Sequence, residues 1–190
     1  MKHPAHIEDV LTAITWLQQE YSFGERYVLV GHSCGATLAL QVVMGQWSAR
    51  EETGTGEQNI KMPVGAACVE GIYDLKLLRD THRDYPAYQD FLQGAFGAEE
   101  QWENASPAQG NIRQTWKNGK VLVLAHSKED ELVDWVQVDT MANALKTEMS
   151  GIESTILELK GNHHEVWKDG AEMARAIRMA LDLLEEVHAA

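Results

Sequence analysis

Residues 31–35 read Gly-His-Ser-Cys-Gly and fit the pattern G-x-S-x-G. Between a strand and a helix this pattern is typical of a nucleophile elbow, because a serine in such a sharp turn projects its hydroxyl above the sheet. The motif does lie between a predicted strand and a predicted helix, since residues 27–30 are an unbroken run of β-formers and residues 36–44 are predicted to form a buried helix. We therefore predict that Ser33 is a nucleophile and that the backbone N–H of Cys34, at a helix N-terminus, lines an oxyanion hole.

The glycines on either side of the serine are expected to let the strand and the helix approach without a clash between Cβ atoms. The same residues could also be a coincidental glycine-rich turn without chemistry. A catalytic thiol at Cys34 is a further alternative. We expect instead that Cys34 is a small, buried packing residue whose side chain faces away from Ser33.

A serine nucleophile needs a base and an acid that orients the base. Residues 126–133, His-Ser-Lys-Glu-Asp-Glu-Leu-Val, follow a predicted strand and contain three consecutive acids. An acid, two residues and then an apolar anchor is the usual spacing in hydrolases with this elbow, and it selects Asp130. The alternative is a solvated acidic loop, which describes most runs of acidic residues.

The base is expected after the last predicted strand, in residues 161–167, Gly-Asn-His-His-Glu-Val-Trp. The residues alone leave the choice between His163 and His164 open. A histidine pair can also bind a metal ion, but the sequence has neither an HExxH motif nor a third ligand at helical spacing beside this pair. We therefore expect no metal and no cofactor.

Helices and strands alternate along the chain, which predicts an α/β fold with a parallel sheet and helices on both of its faces. In such sheets function lies at the carboxyl ends of the strands. We expect one domain over residues 1–190, with a polar surface excursion at residues 45–62. The predicted helices cover residues 7–21, 36–44, 85–96, 136–149 and 171–187, with a short one beginning at 106–107; the predicted strands cover 27–30, 64–69, 121–125 and 154–159.

Composition narrows the class of partner. The 190 residues include 44% hydrophobic residues, enough for one domain with a core, and the net charge is −13. A surface this acidic repels phosphate backbones and anionic lipids, so nucleic acid and membranes are not expected partners. The two cysteines, Cys34 and Cys68, are too few for a disulfide framework, which favours the cytoplasm.

Several segments together are similar to fungal kynurenine formamidases of the α/β-hydrolase superfamily. They are GHSCGATLALQ, AACVEGIYDL, the Ala-Ser-Pro step at 105–107, HSKEDELV and GNHHEVWKDG, and the similarity runs from about His3 to the C-terminus. The resemblance implies hydrolysis of N-formyl-L-kynurenine to L-kynurenine and formate in tryptophan breakdown, without a cofactor. Its small-molecule partner would be an aromatic formamide, and a homodimer is a further expectation.

The resemblance also implies a triad of Ser33, Asp130 and His163. In the family the base precedes one variable residue and then an acid, and His163-His164-Glu165 matches this order. His163 is therefore preferred over His164. The motifs indicate catalytic residues and no substrate-binding residue.

The family also carries N-terminal strands and an HGG-type motif that completes the oxyanion hole, and this sequence has no His-Gly-Gly. We expect a partial α/β-hydrolase fold without those strands, corresponding to the carboxyl two-thirds of such an enzyme. The apolar strand at 27–30 would then keep one edge unpaired, so poor solubility and weak activity are expected. The rival hypotheses are another esterase or peptidase, and a catalytically impaired hydrolase-like protein.

Overall fold

A computed structural model describes residues 2–45, 60–110, 112–148 and 151–189. The strands are β1 (Val28–His32), β2 (Gly65–Val69), β3 (Val121–Ser127) and β4 (Glu153–Leu159). The helices are α1 (Ala5–Tyr21), α2 (Cys34–Met44), α3 (Leu75–Thr81), α4 (Pro86–Phe96), α5 (Trp102–Ala105), α6 (Ile112–Thr115), α7 (Val136–Glu148), α8 (Glu165–Lys168) and α9 (Ala171–Ala189), with 3-10 turns at Glu99–Gln101 and Pro107–Gln109.

The four strands form one parallel sheet, as predicted, and their order is β1-β2-β3-β4. Every residue of β3 is buried, because its apolar run is covered on both faces of the sheet. Because the strands are parallel, their carboxyl ends meet at one edge. The loops that carry the predicted site residues therefore lie side by side.

Helices cover both faces, as predicted. Side chains alternate across a strand, so Leu122 and Leu124 face one side of β3 and Val123 faces the other. The first side packs against α2 and α7, and the second packs against α9. The sheet is thus held between two apolar layers. These layers fix the strand ends from which the loops of the carboxyl edge begin.

The elements differ from the predictions mainly at their ends. The elbow contains a single residue, Ser33, between β1 and α2, whereas a turn over residues 31–35 was expected. Helix α3 was not predicted; it begins where the Asp74 carboxylate accepts the N–H of Leu77 at 2.9 Å. Of the predicted polar excursion, residues 46–59 lie outside the described residues.

Strand β1 lies at one end of the sheet and pairs, within the described ranges, with β2 alone. Its Val30 is 40% exposed, in line with the predicted apolar strand with an unpaired edge. In the part of the chain that the structure describes, no helix combines the length and the apolar character needed to cross a membrane.

Candidate active site

Ser33 occupies a strained turn at the end of β1. Its backbone has φ 55° and ψ −124°, a conformation that residues other than glycine rarely adopt and that costs about 1–3 kcal/mol. The Ser33 N–H donates to the carbonyl of Val69 on the neighbouring strand at 2.8 Å. The sheet therefore holds the sharp turn that the motif predicted.

The two glycines of the motif have different roles. A Cβ atom at Gly31 would lie 2.2 Å from the carbonyl oxygen of Gly35 and 2.6 Å from the backbone nitrogen of Ala36. At Gly35 the same atom would come within 4 Å of no described atom outside the local helix backbone. The expected close approach is confirmed at Gly31 and wrong at Gly35, because that residue lies within α2 and its missing side chain would point into open space.

Cys34 is the first residue of α2, so its N–H has no acceptor within the helix. This N–H remains the predicted oxyanion donor. The expectation that the Cys34 side chain is buried is wrong, since it is exposed. The reason is its position in the first turn of α2, at the carboxyl edge of the sheet.

Asp130 is the buried member of the acidic run, whereas Glu129 and Glu131 are exposed. One carboxylate oxygen accepts the N–H groups of Leu132 and Val133, each at 2.9 Å. The other lies 2.8 Å from Nδ1 of His163. Burial alone would raise the pKa of Asp130, but the hydrogen bonds from His163 and from the two backbone N–H groups outweigh it and lower the pKa.

His163 is 4% exposed, while His164 is exposed to solvent. The structure therefore brings His163, and not its neighbour, to Asp130. Burial disfavours the charged imidazolium, but the hydrogen bond and the negative charge of Asp130, together with that of Glu70, raise the pKa of His163 above its ordinary value. The His163 N–H donates to Glu131 Oε2 at 3.1 Å, which fixes the backbone of the histidine loop.

The residue next to Ser33, His32, contacts His163 directly. The rings of His32 and His163 lie 4.6 Å apart, and His32 Nε2 is 3.1 Å from the carbonyl oxygen of His163. Among the described residues, the Ser33 hydroxyl has no hydrogen-bond partner. The acid–base contact is thus formed, and the nucleophile–base contact is not. Such contacts are often long without substrate and shorten when it binds.

His126 holds the loop that carries Asp130. It is fully buried, and its Nε2 donates to the carbonyl of Val133 at 2.7 Å. Burial lowers the pKa of His126, which keeps the ring neutral at ordinary pH. This side chain holds the segment whose N–H groups bind Asp130.

Glu70 is a site residue that lies in none of the predicted catalytic motifs. It follows β2, is fully buried and has φ 48°. Its Oε2 lies 3.0 Å from Nε2 of His32 and 3.5 Å from Nδ1 of His163. Its Oε1 is buried and has no hydrogen-bond partner in the described parts of the chain. Burial raises the pKa of Glu70, against the hydrogen bond from His32. The available signal was an acid directly after an apolar strand that ends at the same sheet edge.

Donor atoms of His32, Glu70 and His163 lie within 4.8 Å of one another, a spacing compatible with a divalent cation. Imidazole and carboxylate ligands would suit zinc or a similar ion. The same short contacts also form a hydrogen-bonded network, in which Nδ1 of His163 is already held by Asp130. His164, the other half of the histidine pair, does not belong to this cluster.

The amino-acid sequence is similar to those of several fungal hydrolases. It is 39% identical to a kynurenine formamidase-like hydrolase of Fusarium equiseti over 97% of this chain and 61% of that protein. It is 32% identical to a kynurenine formamidase of Aspergillus versicolor over 88% of this chain and 63% of that protein. These relatives confirm the resemblance drawn from the motifs. The chain spans less than two thirds of the length of either.

Solved structures agree on the fold. The acetyl ester-xyloside bifunctional hydrolase of Caldicellulosiruptor lactoaceticus has a TM-score of 0.71 at 17% identity, over 99% of this chain and 68% of that one. An esterase of Thermogutta terrifontis has a TM-score of 0.68 at 18% identity, over 98% and 65% of the two chains. The sequence profile of a family described as the α/β hydrolase fold matches residues 1–168. This chain therefore belongs to the α/β hydrolase fold family.

Proposed function

We propose that this chain is a serine hydrolase that cleaves the formamide of N-formyl-L-kynurenine to L-kynurenine and formate, a step of tryptophan breakdown. The observation that carries the proposal is the buried contact of 2.8 Å between His163 and Asp130, at the sheet edge where the elbow presents Ser33. The substrate class is supported by the relatives, of which one is named a kynurenine formamidase and the other a kynurenine formamidase-like hydrolase.

In the first half of the reaction, His163 acts as the general base. Asp130 accepts the Nδ1 proton, so Nε2 is free to take the proton of the Ser33 hydroxyl. The serine oxygen then attacks the formyl carbon, and the Cys34 N–H stabilises the oxyanion that forms. When the C–N bond breaks, His163 returns its proton to the leaving arylamine, and L-kynurenine departs.

In the second half, water hydrolyses the formyl ester of Ser33. His163 takes a proton from water, the hydroxide attacks the formyl carbon, and the proton returns to the serine oxygen as formate leaves. The two steps are redox-neutral and need no cofactor. The raised pKa of His163 suits the imidazolium that forms twice in this cycle.

The test compares purified wild type and Ser33→Ala on N-formyl-L-kynurenine and on p-nitrophenyl acetate. The expected result is kynurenine release by the wild type, with a higher kcat/KM than for the acetate ester, and no release by Ser33→Ala above a mock purification. A clear preference for the ester would replace the formamidase with an esterase. No turnover, and no labelling of Ser33 by a fluorophosphonate, would leave a non-catalytic hydrolase-like protein.

A further inference from the structure

Glu70 is the feature of the site that the triad does not explain. It is a fully buried carboxylate on a residue with positive φ, and one of its oxygens has no hydrogen-bond partner among the residues that the structure describes. Burying an acid with an unsatisfied oxygen is costly, and so is a positive φ at a residue with a long side chain. Because such features concentrate at functional sites, the contacts of Glu70 identify what it serves.

We propose that Glu70 is a positioning residue for His163: a second carboxylate that shares the Nδ1 proton of His163 with Asp130 and anchors His32 against the same ring. This inference rests on the proposed function for its catalytic consequence. It concerns the orientation and charge of the base, since Glu70 acts through His163 and His32.

The distances define how the proton is shared. Asp130 is the main acceptor for Nδ1 of His163, at 2.8 Å, while Glu70 lies 3.5 Å from the same atom. A movement of less than 1 Å would therefore bring Glu70 into hydrogen-bond range. At its present distance the carboxylate already favours the charged imidazolium, because an opposite charge within about 4–6 Å stabilises the ionised form.

His32 ties Glu70 to the rest of the loop. Its Nε2 faces both the Glu70 carboxylate, at 3.0 Å, and the main-chain carbonyl of His163, at 3.1 Å. Since His32 directly precedes Ser33, this contact joins the elbow to the histidine loop. Glu70 thus orders both partners of the expected proton transfer.

A matched control exists in Glu131, which also contacts His163. Within the described ranges its carboxylate accepts a single hydrogen bond, from the backbone N–H of His163 at 3.1 Å, and the residue is exposed. Replacing it by glutamine keeps an acceptor and removes a charge that solvent screens. The titratable groups that face or surround the His163 ring are Asp130, Glu70, Glu131, His32, His126 and His164.

The first experiment follows the His163 ring by NMR of protein labelled with ¹⁵N-histidine, over a pH series. The signal is assigned with His163→Gln. We expect Glu70→Gln to lower the midpoint of His163 by about one pH unit or more, whereas Glu70→Asp, which keeps the charge, stays closer to wild type. Glu131→Gln should move it less. An unchanged midpoint in Glu70→Gln, or the same change in Glu131→Gln, would overturn the inference.

The second experiment is a double-mutant cycle of Glu70→Gln and Asp130→Asn, read as kcat. We expect Glu70→Gln to lower kcat about tenfold when Asp130 is present, a factor equivalent to one pH unit of lost interaction. In the Asp130→Asn background it should lower kcat by roughly a further 100-fold, because no carboxylate then holds Nδ1. Equal factors in both backgrounds would reduce Glu70 to a packing residue and overturn the inference.

The two experiments separate the inference from the proposed function. If wild type hydrolyses no substrate, the NMR titration still decides whether Glu70 shares the His163 proton. If wild type is active and the titration is unmoved by Glu70→Gln, the hydrolase assignment stands and this inference fails. If the glutamine variant does not fold, Glu70→Asp replaces it in the titration. Its shorter side chain withdraws the carboxylate from His163, so a midpoint somewhat below wild type is expected, and an unchanged midpoint would overturn the inference.

Discussion

Replacing Gly31 by alanine should distort the elbow more than any other single-methyl change there. The added Cβ would lie 2.2 Å from the Gly35 carbonyl oxygen and 2.6 Å from the Ala36 nitrogen, whereas ordinary contact begins near 3.4 Å. All of the nearest atoms belong to the backbone, so no side-chain rotation can relieve the clash. Strand β1 and helix α2 must separate by about 1 Å at the position that holds Ser33.

This displacement should reduce both stability and turnover. Overpacking of this kind costs about 1–3 kcal/mol and sometimes more, which corresponds to a fall of roughly 3–10 °C in Tm for a chain of this size. Displacing a nucleophile by about 1 Å costs on the order of 100-fold in rate. We therefore expect Gly31→Ala to lose about two orders of magnitude in kcat while remaining folded below its reduced Tm.

Gly35→Ala is the matched control, because it adds the same methyl group to the other glycine of the motif. Outside the local helix backbone its Cβ would have no described atom within 4 Å, and alanine in a helix is favoured over glycine by up to about 1 kcal/mol. Its Tm and turnover should equal or slightly exceed those of wild type. Differential scanning calorimetry and the rate of fluorophosphonate labelling measure both effects. A Gly31→Ala variant with wild-type Tm and labelling rate would refute the argument from close approach.

Three further predictions concern the histidine loop and the thiols. His163→Ala should lose nearly as much turnover as Ser33→Ala, whereas His164→Ala, which alters an exposed ring, should lose severalfold at most; similar losses in both would reverse the choice of base. Because neighbouring carboxylates raise the pKa of His163 and the base must be neutral, kcat/KM should fall on the acid side with a midpoint above 6.5, and a midpoint below that value would contradict the geometry. Thiol titration of the native protein should show rapid reaction of exposed Cys34 and none of Cys68, whose burial raises its pKa to about 12, until denaturant is added; fast reaction of both would show that β2 is accessible.

The alternation of helices and strands was predictable because it depends on hydrophobic patterns along the chain. Residues 121–125 are apolar without interruption, and β3 is indeed covered on both faces. The ends of the elements were harder, since they depend on single side chains and on neighbouring strands. Helix α3 needs the cap that Asp74 provides, and β1 continues to His32 because the ladder with β2 reaches Val69.

The acid and the base could be located because each lies in a short motif next to a strand end. The contact between Asp130 and His163 follows from that placement. Glu70 could not be selected in the same way, because its partners come from two other loops. Only the register that pairs His32 with Val69 shows that the residue after Val69 contacts the histidines. The exposure of Cys34 likewise depends on where α2 begins, which the pattern does not define to one residue.

Ser33 and Glu70 reveal a common construction at the carboxyl edge. Each follows the last residue of its strand and has a positive φ, 55° and 48° respectively, although neither is a glycine. Each donates its backbone N–H at 2.8 Å to a carbonyl of the next strand, Ser33 to Val69 and Glu70 to Ala125. Two adjacent strands thus end in a residue with positive φ whose backbone N–H is bound by the neighbouring strand. The strain of about 1–3 kcal/mol at each turn is therefore borne by the β1–β2–β3 ladder. Loosening that ladder would displace the nucleophile and the second carboxylate together.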